Sequence, residues 1–210
     1  NAPVTISGGA TLDLAGQSVS IGMLSGSGVI TDSATTASTL TTRNDSTPTI
    51  FSGIIQDGSG AVALTHVGAG ALTLTGANTY TGPTTINAGT LLIGNGTSGS
   101  ISAASTISVA NNSTFSLNEV TGSSIANRVT NAGTVNFVQD GALTVAGTIS
   151  GTGTVIQSGS GATTLTAANT YTGPTKISAG VLAAGTIGAL GANSAVTINS
   201  GATLDLAGQP

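Results

Sequence analysis

Apolar and small polar residues alternate along this chain in short runs. Thr11-Leu12-Asp13-Leu14, Leu72-Thr73-Leu74 and Leu143-Thr144-Val145 each put aliphatic side chains on one side and Thr or Asp on the other, the period-two signature of a strand with one face in a core. Such runs last four to eight residues and stop at Gly, Asn or Asp, residues that accept the backbone angles of turns. No window sustains a 3.6-residue period with caps, and Gly and β-branched residues are too frequent for helix. The pattern predicts an all-β chain of short strands joined by turns.

The strands recur. Asn78-Thr79-Tyr80-Thr81-Gly82-Pro83-Thr84 returns letter for letter as Asn169-Thr170-Tyr171-Thr172-Gly173-Pro174-Thr175, 91 residues later. Apolar positions on both sides also match, apart from Leu72 against Thr163. A second family, Val4-Thr5-Ile6 through Gln17, returns at Val196 to Gln209, an offset of 192, with a weaker copy from Ile107 to Leu117 at an offset of 103. The chain thus holds about two units of roughly ninety to a hundred residues and begins and ends on the same motif.

Short one-sided strands fit a sandwich, a barrel or a β-solenoid, and repetition selects the solenoid. In a parallel β-helix each coil sets its inward Val, Ile and Leu about 4.8 Å from those of the next, while backbone groups pair between coils. At roughly twenty to twenty-five residues per coil, the chain makes about nine coils and a rod of about 45 Å. The expectation is one right-handed parallel β-helix over residues 1–210. It reads as a fragment of a longer array, because no atypical capping repeat closes it.

Composition removes competing classes. Gly at 32 of 210 residues without a G-X-Y period, and with 5 Pro, excludes a collagen-like helix. A hydrophobic fraction of 39% with charged residues at 5% does not fit a disordered chain. Seven acids and three bases give a net charge of −4, too thin to steer a nucleic acid, so no nucleic-acid partner is expected. Cys is absent, so rigidity has to come from backbone pairing and packing. No apolar run approaches the eighteen or so residues of a membrane-spanning helix.

The stretch Gly70-Ala71-Leu72-Thr73-Leu74-Thr75-Gly76-Ala77-Asn78-Thr79-Tyr80-Thr81-Gly82-Pro83-Thr84-Thr85-Ile86-Asn87-Ala88-Gly89-Thr90-Leu91 and its second copy, Gly161 to Leu182, resemble the autotransporter-associated β-strand repeat, also called the passenger-associated transport repeat. Repeat-like segments run over 70–94 and 161–185. Where the family commonly has a second Gly after T-Y-T-G, this chain has Pro83 and Pro174. The resemblance implies a β-helical passenger of a type V secreted autotransporter, exported to the bacterial surface or released. A C-terminal outer-membrane barrel of the same polypeptide would be its partner, and the repeats would assist folding and secretion. The alternative is an adhesin whose solenoid surface binds glycans, a host protein or sister rods.

Candidate site residues are few. Asn78, Tyr80, Gly82 and Pro83, with Asn169, Tyr171, Gly173 and Pro174, form the structural repeat motif. The plain reading is a turn in which Asn takes positive φ and Tyr covers a coil corner; the functional one is an exposed Tyr–Asn face for sugars. His66 is the only histidine and reads as an outward strand residue. The acids are scattered, and Asp13 and Asp205 recur at equivalent, solvated positions. No catalytic, cofactor or metal site is expected, and no enzymatic activity. Asn44, Asn95 and Asn112 head glycosylation patterns, and Lys176 in place of Thr85 marks a surface position. Thr73-Leu74-Thr75 and Thr164-Leu165-Thr166 suggest a third reading, ice binding by Thr rows, but the pattern does not recur at every coil.

Overall fold

The chain folds as a stack of parallel coils. The computed structural model describes residues 1–192 and 194–207, so Gln209 of the second sequence family lies outside them. Among the described residues there is no helix and every strand pairing is parallel. One ten-stranded sheet runs through the whole stack and defines ten coils. Its strands are Val4–Ile6, Leu24–Gly26, Thr49–Phe51, Ala71–Leu74, Thr90–Ile93, Thr114–Leu117, Thr134–Phe137, Thr154–Gln157, Thr175–Ile177 and Val196–Ile198. This is the first face.

In chain order within a coil, a second and a third face follow. The second is built by Thr11–Asp13, Val29–Thr31 and Ile54–Ile55 in coils one to three. It resumes with Ser123–Ile125, Ala142–Val145, Ala162–Leu165, Val181–Ala184 and Thr203–Asp205 in coils six to ten. The third face is a seven-stranded sheet through coils one to seven: Val19–Ile21, Ser38–Thr42, Val62–His66, Thr84–Ile86, Ile107–Val109, Val129–Asn131 and Ile149–Ser150. Partners on successive coils are 19 residues apart at Ala71 and Thr90 and 25 apart at Gly26 and Phe51, within about the twenty to twenty-five a β-solenoid coil uses.

Stacking makes the core one-dimensional. On the first face Leu72, Leu91, Phe115, Val135, Val155 and Thr175 fall in register and are buried, each lying over its counterpart in the coil before. Fully burying a residue of the Leu or Phe class contributes about 1.5–3 kcal/mol, so one such row repeated up the rod outweighs any single surface contact. Outside, hydroxyls join coils where a globular protein would place charge. Thr5 Oγ1 and Ser25 Oγ lie 2.9 Å apart, and Ser158 donates to Asn136 Oδ1 at 2.8 Å.

Asp13 and Asp205 sit exposed, as their recurrence implied. Each carboxylate accepts the backbone N–H two residues on, Ala15 at 3.0 Å and Ala207 at 2.8 Å. Those alanines have φ of 49° and 48°, so the Asp side chain closes a turn that an L-residue enters at a cost. Lys176 is exposed, as expected.

Candidate coil-stitching site

The repeat motif lies inside the rod, with its side chains directed at neighbouring coils. Asn78 is 2% exposed and Asn169 5%. Neither has positive φ; among the described residues other than Gly, only Ala15, Asn112 and Ala207 do. The expected left-handed Asn is therefore corrected: here the side chain, not the backbone, carries the role. Asn78 Oδ1 accepts the N–H of Ile55 in coil three at 3.0 Å, while its Nδ2 donates to the carbonyls of Gly76 at 2.9 Å and Ser100, in coil five, at 3.0 Å. Asn169 repeats this: Oδ1 accepts from Ile149 N in the preceding coil at 2.7 Å and Nδ2 donates to Ala189 O in the following one. One amide thus ties three successive coils. An amide is suited to this, since it offers acceptor and donor from a single side chain.

Tyr80 and Tyr171 are wholly buried, which removes the exposed sugar-binding face. Tyr80 Oη lies 2.7 Å from Thr84 Oγ1, which lies 2.8 Å from Ser105 Oγ, which donates to Gly82 O at 2.8 Å. The second copy reproduces the relay through Tyr171, Thr175, Ser194 and Gly173, at 2.8 Å for each step. Because each serine commits its proton to the glycine carbonyl, the threonine must donate to serine and the tyrosine to threonine. Each hydroxyl gives its proton onward, and the threonine and serine each also receive one, so all three are paired inside the rod. Burial raises the Tyr80 phenol above its ordinary range, so it stays a donor.

Gly82 and Gly173 are set by close approach: a Cβ would fall 2.4 Å from Val62 O in the first case and 2.1 Å from Gly153 O in the second. Pro83 and Pro174 are exposed, and their carbonyls accept from Leu64 N and Val155 N, both at 3.0 Å. The ladder uses only the group that proline retains.

Ser105 and Ser194 escaped the sequence reading. Each stands two residues before a strand of the second sequence family, Ile107–Val109 and Val196–Ile198, whereas Ala2 precedes Val4 at that spacing. Serine two residues ahead of such a strand, following a Tyr motif, was the available signal.

One further expectation is corrected, and two readings left open by the sequence close. His66 is fully buried: Nε2–H donates to Gly70 O at 3.0 Å and Nδ1 accepts from Thr42 Oγ1 at 3.0 Å, so it is a neutral interior residue, held below its ordinary pKa by desolvation. Asn44 is also fully buried, with Nδ2 bonded to Thr49 Oγ1 and Ala71 O, which closes it to glycosylation in the folded rod. The Thr73-Leu74-Thr75 row fails as a flat surface because Thr75 is only 9% exposed.

The acids stay largely apart. Glu119 and Asp140 share a cavity of about 330 Å³, bordered also by Asn95, Asn118 and Thr121. No group of three or more His, Cys, Asp or Glu suited to a metal ion occurs among the described residues.

Comparison with known proteins agrees on where the motif lies. The description "passenger-associated-transport-repeat" matches residues 64–93 and 155–184. Each match opens in the strand ahead of the L-T-L segment, at Leu64 and Val155, the two residues whose amides bond the proline carbonyls. Searches of the curated proteins and of the solved structures found no match.

Proposed function

Because the chain carries two passenger-associated transport repeats, we propose that it is a structural segment of an autotransporter passenger whose repeats promote folding of the rod outside the cell and so favour its export. The observation that carries this reading is the duplicated stitching: Asn78 and Asn169 each bond the coil before and the coil after. A chain emerging end-first through a pore folds one coil upon the next. A side chain whose bonds are satisfied only when three successive coils are in place turns that sequence of additions into a ratchet. Free energy of folding then opposes backsliding without any nucleotide. On this reading the segment is displayed at the bacterial surface or released, its partner is an outer-membrane barrel encoded on the same polypeptide, and it catalyses no reaction.

Surface display of the native polypeptide is the test. Deleting residues 70–94 and 161–185 together, and separately the milder pair Asn78→Ala and Asn169→Ala, should each reduce passenger reaching the cell exterior, measured by antibody labelling of intact cells. Unchanged display in both would remove the secretion role. An adhesive role through Tyr80 and Tyr171 is not carried forward, since both rings are fully buried.

A further inference from the structure

The interior of coils six to eight holds a run of polar side chains that the repeat motif does not use. Leu117 pairs with Phe137, and the ladder continues through Val138 N to Leu117 O at 2.9 Å. Two residues beyond that pair, Glu119 and Gln139 stand in the same register, 4% and 2% exposed. Gln139 Nε2 donates to Thr163 Oγ1 at 2.9 Å, and Thr163 gives its one proton to Gln157 Oε1 at 2.6 Å. Gln157 Nε2 in turn donates to the carbonyls of Gly159 and Gly161 at 2.9 and 3.2 Å. All donors point away from Glu119. Reversing the Gln139 amide would set its oxygen against a hydroxyl whose proton is already committed.

The run therefore begins on an acceptor with nothing to accept. Gln139 Oε1 and Glu119 Oε1 are both sealed from solvent and both lack a hydrogen-bond partner. Two acceptors left unpaired at one ladder position in an interior are costly, and a single proton between them satisfies both. We propose that Glu119 is protonated in the folded rod and donates its carboxylic O–H to Gln139 Oε1, completing an internal hydrogen-bonded chain across coils six to eight that strengthens the rod in mildly acidic surroundings and weakens it as the pH rises.

The surroundings favour the neutral acid. Burial pushes Glu119 up to about 7 from an ordinary 4.5. No Lys, Arg or His borders the adjoining cavity, and its other titratable side chain, Asp140, is exposed and accepts from Ser160 Oγ at 2.8 Å. For the sign, the folded pKa lies above the unfolded one, so folding takes up a proton. The stabilisation is full below about 4.5, declines between there and about 7, and is absent above. His66, in coil three, acts in the opposite direction: with its folded pKa below an ordinary 6.5, it adds stability above 6.5 that is lost as pH falls through its folded value. The two effects must be separated.

Glu119 is the only glutamate in the chain, so protein carrying carboxyl-labelled glutamate reports this one group. Its carboxyl carbon resonance should titrate with a midpoint near 7; a midpoint near an ordinary 4.5 would overturn the proposal. Thermal unfolding of wild type and Glu119→Gln, compared at about pH 5 and about pH 8, removes the His66 contribution by difference. The variant should match wild type at the lower pH and exceed it by on the order of 5 °C at the higher. Equal pH dependence of the two proteins would sink the idea. So would recovery of wild-type stability at about pH 8 on adding calcium, which would make the group a cation ligand.

Discussion

At the residue scale the repeat's polar side chains act as fasteners. Tyr171→Phe removes the proton that Thr175 Oγ1 receives and should cost about 1–2 kcal/mol in urea unfolding, while leaving the packed ring in place. Asn78→Ala exposes a larger debt, because the N–H of Ile55 loses its partner while the carbonyl of Ser100 keeps only the Asn78 backbone N–H at 3.1 Å; a loss of about 2–3 kcal/mol is expected. Hydrogen exchange at the Ile55 amide should quicken more than at amides two coils away. Asp32 supplies an acid limit. Its Oδ2 accepts from Ser38 Oγ at 2.6 Å and its Oδ1 from Gly16 N at 2.7 Å and Ala34 N at 3.1 Å, and chiefly the Ser38 bond holds the carboxyl below its ordinary 3.8. The folded pKa is depressed, so this contribution is present above about 3.8 and lost as pH falls through the folded value. Asp32→Asn should lower the urea midpoint near neutrality and flatten its fall on acidification.

At the scale of elements the two repeat copies occupy different faces. In the first, the L-T-L strand Ala71–Leu74 is on the first face, Tyr80 bonds back to Ile55 on the second, and Thr84–Ile86 lies on the third. In the second, Ala162–Leu165 is on the second face, Thr170 bonds back to Ile149 on the third, and Thr175–Ile177 has moved to the first. The copy is turned by one face because 91 residues are not a whole number of coils. It keeps its contacts because they run along the rod axis, to the coils before and after, and not across to a particular sheet. The exchange of Leu72 for Thr163 shows how such a module adapts. Both are fully buried, but Thr163 bonds Gln139 and Gln157. Thr163→Leu, although it restores the residue of the other copy, should therefore destabilise by about 1–3 kcal/mol, because it strands two amides. Gly82→Ala should be worse, at about 3 kcal/mol or more, since the clash is with backbone that no rotamer change relieves.

At the scale of the whole molecule, coils touch only their neighbours, so stability is close to a sum of coil and nearest-interface contributions. Damage should stay local. In Asn169→Ala, hydrogen exchange should accelerate in coils seven to nine and stay unchanged in coils one to five; uniform acceleration along the rod would show a single cooperative unit instead. For export this locality matters, because each coil can be completed before the rest of the chain has emerged.

By itself the sequence determined the all-β class, the parallel solenoid and the presence of two repeats. Those follow from period-two alternation and letter-for-letter recurrence, which are local properties of the chain. It also placed Asp13 and Asp205 at solvated positions; that they close turns through N–H groups two residues on came from the structure. What only the tertiary structure decided is which polar residues face inward. His66, Asn78, Tyr80 and Glu119 read as surface or turn residues by type. Three of them are buried where stacking brings Thr42 to His66, Ile55 to Asn78, and Ser105 to Thr84, the partner of Tyr80, from 21 to 24 positions away. A polar side chain enters a core only where its partner is present, and in this rod the partner belongs to the next coil, at a spacing that varies from coil to coil.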